Sequence, residues 1–310
     1  MDLTEINYPE VEEIYSFNPD LYIAASGYES RSIYMSGKLS GLNCTKVVLA
    51  YNDLSREMYR PSNDQFYREN DFRFFQCDGS VSPDFDSIFS QLEGESIKLM
   101  VDISVMTRVW FFNLLKYLHD LEDFSKIEMK ITYCPIVYTE PVKIRQKIQL
   151  QKYSMIDFLN DNNRTNKDRA LLLGLGIEKE TSLYAYNTLN PDLTYLLYAD
   201  PADRKEYVES IYINNHSLIN QVQIKYFKGY PLNNVREIYR LLIDLILPIR
   251  ENFNIVIVPQ GPKIFALLSM ILQISYPDIE MYCIRSKRRK IVDREISGEI
   301  ISLDLIFEND

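Results

Sequence analysis

Short aliphatic runs alternate with longer stretches in which apolar residues recur every three or four positions, and this alternation continues from Leu21 almost to the end of the chain. Strands buried on both faces read as continuous apolar runs, whereas helices that cover a sheet show the longer period. The first half therefore predicts strand 21–26, helix 31–40, strand 46–51, strand 72–76, helix 83–92, strand 97–102, helix 108–120 and strand 127–134. The second half predicts strand 171–175, helix 180–189, strand 194–199, helix 204–218, strand 222–227, helix 233–251, strand 255–258, helix 262–273 and strand 280–284. Such alternation is expected of a parallel sheet covered on both faces.

The two halves echo each other at a spacing of roughly 150 residues. Leu21-Tyr-Ile-Ala-Ala-Ser26-Gly27-Tyr28-Glu29 is answered by Leu171-Leu-Leu-Gly-Leu-Gly176-Ile177-Glu178, and each is followed by Ser, an aliphatic residue and Tyr (Ser32 to Tyr34, Ser182 to Tyr184). The run from Lys46 to Asp53 answers Thr194 to Asp200, and Phe72 to Gly79 answers Gln223 to Gly229. Ile97 to Arg108 answers Ile255 to Lys263: an apolar strand breaks into a polar turn closed by a cation. The fold class expected is α/β, with two tandem Rossmann-like parallel-sheet domains related by internal duplication. Their expected limits are 1–141 and 171–310, with the polar segment 142–170 between them as a linker or an inserted helix. The tail from Ile291 to Phe307, patterned around Ser297-Gly298, predicts a β-hairpin on the second sheet or a return to the first.

At 310 residues and 46% hydrophobic content the chain has material for two cores. A formal charge of −10 sets an unfavourable mean field for extended nucleic acid, which binds through many cations. A cationic pocket for a small anion stays compatible with it, because close groups dominate there. Cys44, Cys77, Cys134 and Cys283 stand apart, as buried free thiols in a reducing compartment do. The start Met-Asp-Leu-Thr-Glu lacks the basic and apolar regions of a signal peptide, and no apolar run nears the ~20 residues of a membrane span. A cytoplasmic protein is expected, with the sequons at Asn43, Asn163 and Asn215 as chance matches.

In open parallel sheets, ligands gather beyond the carboxyl ends of the strands, where helices begin and their free N–H groups face outward. The least hydrophobic residues of both halves fall there: Ser26, Gly27 and Glu29; Gly176 and Glu178; Asp102, Ser104, Thr107 and Arg108; Gln260, Gly261 and Lys263. Glycine lets backbone approach a ligand, hydroxyls and amides donate to phosphate or ribose, and Arg108 and Lys263 supply charge. Asp102-x-Ser104-x-x-x-Arg108 resembles the strand-end motif of the CRISPR-associated Rossmann fold, in which Asp or Asn precedes Ser or Thr and then a cation. Two such folds in one chain are similar to SAVED sensor domains, which bind cyclic oligonucleotides in antiviral defence. Pro259-Gln-Gly-Pro-Lys263 departs from the motif, being two residues shorter and lacking the Ser or Thr.

The resemblance implies a sensor with a groove shared by two related halves. A small nucleotide with two or more phosphates would meet Ser26, Gly27, Ser104, Thr107 and Arg108 on one side and Gly176, Gln260, Gly261 and Lys263 on the other. Glu29 and Glu178 would accept from ribose hydroxyls or an exocyclic amine. A separate effector or ATPase would take the signal, with no cofactor, metal or membrane involved. Each residue also has a plainer role: Glu29 and Glu178 as first-turn carboxylates, Asp102 and Ser104 as helix caps, Arg108 and Lys263 as solvated cations. The basic run Ser286-Lys-Arg-Arg-Lys290 is read as a solvated loop, and most of the 23 tyrosines as core packing. His119 and His216 lie apart from any zinc or triad partner, and neither a phosphate-binding Walker loop nor Gly-x-Gly-x-x-Gly is present. Two alternatives stand beside the sensor: an enzyme that cleaves or transfers part of a nucleotide, using Ser104 or Lys263 at the phosphate with Glu29 or Asp102 as base, and a scaffold subunit without a ligand.

Overall fold

Leu21–Ser26, buried at every position, is the strand around which the first sheet is built. The computed structural model describes residues 1–139, 148–153, 167–201, 205–286 and 291–309. They fall into two units: Met1–Val137 with Ile291–Asp310, and Tyr138–Lys290.

In the first unit β1 (Asp2–Asn7), β2 (Leu21–Ser26), β3 (Thr45–Tyr51), β4 (Arg73–Cys77), β5 (Ser96–Asp102) and β6 (Lys126–Tyr133) alternate with α1 (Glu12–Ser16), α2 (Tyr34–Lys38), α3 (Arg60–Glu69), α4 (Phe85–Phe89) and α5 (Arg108–Asp120). The parallel strands lie in the order β4-β3-β2-β5-β6. Tyr22, Ala24, Val48 and Met100 on one face of the sheet pack with Met35 of α2 and Tyr67 of α3.

The second unit contains β7 (Ile148–Tyr153), β8 (Asp168–Gly174), β9 (Leu193–Ala199), β10 (Phe227–Tyr230), β11 (Phe253–Val258) and β12 (Glu280–Ser286), with α6 (Thr181–Leu189), α7 (Lys205–Ile219), α8 (Val235–Ile246) and α9 (Lys263–Ser275). Its parallel strands run β10-β9-β8-β11-β12. Counted along each chain segment, both units thus have the order third, second, first, fourth, fifth. That identity of order fits a duplication, and each sheet is Rossmann-like. Helix α9 is apolar all round and buried from Ile264 to Ile274, as a helix without a solvent face must be.

The last strand, β13 (Ile301–Glu308), returns to the first sheet, where it lies antiparallel between β6 and β1. The tail is therefore one strand of the first unit, entered past an isolated bridge between Ile136 and Ile296: of the two expected readings it is the return to the first sheet, and not a hairpin closing a 171–310 domain. Within the stretch read as linker or inserted helix, Ile148–Tyr153 is instead a strand, β7, antiparallel to β12. The predicted strand 222–227 is displaced: Ile224–Tyr226 is a 3₁₀ turn, and β10 follows it. Helix 31–40 divides into a 3₁₀ turn, Ser30–Ile33, and α2. Cys77, Cys134 and Cys283 are buried free thiols and Cys44 is half-buried. Among the described residues no helix is long and apolar enough to cross a membrane.

Candidate functional site

In both units the first and fourth strands are neighbours, yet the chain leaves them in opposite directions across the sheet. A crevice at this switch point is where open α/β sheets take ligands. In the first unit it lies between the loops that follow β2 and β5, in the second between those that follow β8 and β11.

The β2 loop of the first unit is held from within. Ser26 Oγ donates to Asp64 Oδ1 at 2.6 Å, and the same oxygen accepts from Arg60 Nε at 2.8 Å. Asn63 Nδ2 donates to the carbonyls of Gly27 and Glu29, both at 2.9 Å. Gly27 N donates to Ser32 Oγ at 3.2 Å, and the Glu29 carboxylate accepts from Arg31 Nε at 2.6 Å. All of these groups are buried, so ion pairing and hydrogen bonding offset the cost of removing them from water.

The β5 loop is equally committed. Asp102 Oδ1 accepts from both the amide and the hydroxyl of Ser104, and Ser104 Oγ accepts from the Cys134 amide at 2.9 Å. Burial, followed by the nearby Asp102 carboxylate, pushes the Cys134 thiol from 9.0 up to about 12. Thr107, and not Asp102 or Ser104, caps α5: its side chain accepts from the Trp110 amide at 3.3 Å. The Tyr51 ring stacks on Trp110 with centroids 4.2 Å apart, while its hydroxyl donates to the Val105 carbonyl at 2.7 Å. A Cβ on Gly27 would touch that ring at 3.7 Å, and one on Gly79 would crowd it at 3.0 Å. The protein's own Tyr51 thus fills the crevice floor, leaving Thr107 and Arg108 half-buried at its edge.

The second unit repeats the plan with other residues. Asn215 Nδ2 donates to the Gly176 carbonyl at 2.9 Å, and Asn214 Nδ2 to that of Ile177 at 2.8 Å. Gln260 Oε1 accepts from Thr181 Oγ1 at 2.8 Å, while Gln260 Nε2 donates to Ser182 Oγ at 3.3 Å. Gly174 lies so close to Gln260 that a Cβ would be 2.7 Å from its carbonyl oxygen. Gly261 adopts φ +84°, where a side chain would be strained. A Cβ on Gly176 would meet the Glu178 carboxylate at 2.8 Å, so that carboxylate folds back over the loop. Lys263, half-buried, opens α9 directly after Pro262.

Of the twelve residues singled out in the sequence, Ser26, Glu29, Asp102, Ser104 and Gln260 are buried and bonded to other parts of their own unit. Gly27 and Gly176 are buried where the loops approach neighbouring side chains. Thr107, Arg108, Glu178, Gly261 and Lys263 keep partial exposure. Arg60, Asn63, Asp64 and Asn215, which organise the loops, were missed. Residues 287–290 of the basic run lie outside the described residues. Among the described residues no group of three or more His, Cys, Asp or Glu side chains is arranged to hold a metal.

No protein-family model matches this chain, and no curated protein matches it. A solved structure, the cytoplasmic domain of a prokaryotic cation chloride cotransporter, aligns with 86% of this chain and 95% of that one at 7% identity and a TM-score of 0.25. At that score the likeness carries no argument. The class defined by strand order and switch-point geometry is a two-unit Rossmann-like α/β protein.

Proposed function

We propose that the chain is a binding protein for a small, phosphate-bearing nucleotide, acting as a sensor, with Arg108 and Lys263 as its anion contacts. The supporting observation is a repeated misfit. Arg108 is the first residue of α5 and Lys263 the first of α9, each 13 residues long and each following the fourth strand of its unit. A cation there opposes the positive end of the helix dipole, a penalty of about 0.3–1 kcal/mol. An anion taken up at the same corner is attracted by both the cation and the helix end, which offsets that penalty.

A cyclic oligonucleotide supplies such anions, and the antiviral setting and separate effector follow from the resemblance of Asp102-x-Ser104-x-x-x-Arg108 to CRISPR-associated Rossmann folds. Thr107 and Gly261 complete the two corners. Arg108→Ala and Lys263→Ala are each expected to weaken binding of cyclic di-, tri- or tetranucleotides by about 10- to 100-fold, the worth of one charge-assisted hydrogen bond. Thermal unfolding should stay close to that of the parent. Trp110, the chain's one tryptophan and two positions past Arg108, gives a fluorescence readout of that corner. Equal affinity in parent and both variants would rule the corners out.

A further inference from the structure

Residues 291–300, which lead into β13, are of irregular backbone, and residues 291–297 cross the β2 loop of the first unit. The crossing is fixed at two places of different character. Its later part is pinned to the strand end: the Val137 amide donates to the Glu295 carbonyl at 2.8 Å, the Ser297 amide to the Pro135 carbonyl at 2.9 Å, and Ile296 bridges Ile136. Its earlier part is held by side chains. Asp293 Oδ1 accepts from the amide and the hydroxyl of Ser30, at 2.8 and 3.1 Å, and from the Arg294 amide at 2.9 Å. Arg294 Nε stands 3.9 Å from Glu29 Oε1, so Glu29 sits between Arg294 and Arg31.

We propose that residues 291–294 form a latch. Asp293 clasps Ser30, the stretch 295–297 is the hinge, and release uncovers Ser30 and the Glu29 carboxylate that pairs with Arg31. Three observations carry this. The clasp joins positions 263 residues apart through one carboxylate oxygen, whereas the hinge holds through main-chain bonds. An open cavity of about 390 Å³, lined by Ser30, Arg31, Ile33, Tyr34, Glu295 and Ile296, lies beside the clasp. Arg294 stands against the Glu29 carboxylate that holds Arg31, itself 5% exposed, so release of the earlier part removes a neighbour of that pair. The latch rests on the sensor reading only in that it guards a loop of the proposed site; its existence is tested without a ligand.

The test uses the full chain and two readouts. In Asp293→Ala, amide hydrogen exchange at Ser30 and Arg294 should accelerate about tenfold or more, since hydrogen bonds to a carboxylate are lost, while exchange in β13 stays as in the parent. Phenylglyoxal should then modify Arg31, with Arg60, 1% exposed and paired with Asp64, remaining protected as the internal control. Ser30→Ala, which removes only the hydroxyl bond, should move both readouts in the same direction by less. Unchanged exchange and an unmodified Arg31 in both variants would overturn the latch. So would acceleration only in step with β13, which would make the segment a fixed strut that yields with the whole unit.

Discussion

Asn63 and Asn215 do the same work in their respective units: each lies on the helix after the second parallel strand and donates to the carbonyl of the glycine that follows the first, at 2.9 Å. A second pair of contacts repeats likewise. A Cβ on Gly79 would lie 3.0 Å from the Tyr51 ring, and one on Gly229 would lie 3.0 Å from that of Tyr198. Gly27 with Gly176, and Tyr51 with Tyr198, are residues that the sequence echo already sets side by side; their asparagine partners are not. A single amide side chain on a polar surface has no periodicity to betray it. The closest approach of all is at Gly174, where a methyl group would face main-chain atoms of Gln260 at 2.7 and 2.9 Å. Main chain cannot rotate aside as a side chain can, so Gly174→Ala is expected to cost about 1–3 kcal/mol in urea unfolding, the usual penalty for overpacking. Parent-like stability would mean that the β11 loop yields freely.

At the scale of elements, what escaped the sequence shares one physical cause. The buried residues of α3 are Arg60, Asn63, Asp64 and Tyr67, so its inward face is polar and hydrophobic periodicity passes over it. Strand β1, at the sheet edge, is mostly exposed, and β7, also at an edge, alternates within a charged stretch. The fully buried strand β2, the strands β5 and β8 with buried C-terminal halves, and helix α5 were legible because burial on both faces or along one stripe leaves an apolar signal. The tail showed its strand and left two partner sheets open; the choice of the first depends on a residue far away. Lys130 of β6, opposite Asp304 of β13, donates to both carboxylate oxygens at 2.7 Å and is 2% exposed. Asp304→Ala would leave that ammonium buried alone, for an expected loss of about 3–5 kcal/mol, while adding Lys130→Met should recover most of it. A double variant no more stable than Asp304→Ala would show that the ion pair is not what β13 depends on.

For the whole molecule, two units of one strand order supply two equivalent corners, each closed by the protein's own hydrogen bonds and each edged by a cation. The same burial that closes them shapes the response to pH. Burial pushes the thiols of Cys134 and Cys77 from 9.0 to about 12 and about 11, and the Tyr117 hydroxyl from 10.0 to about 12. Below pH 9 these groups are protonated in folded and unfolded chains alike, so their contribution is complete. Above it the unfolded chain loses protons first, and stability falls as pH rises toward 12. Melting temperature should therefore be level to about pH 8.5 and decline beyond it; a level curve to pH 11 would contradict the buried, neutral thiols. The nucleotide reading itself is met most directly by mass spectrometry of the small molecules released when the protein, purified from its native host, is denatured. The parent should release a nucleotide bearing two or more phosphates, and the Arg108→Ala/Lys263→Ala double variant should release none. No nucleotide from the parent, or the same amount from both, would contradict the account.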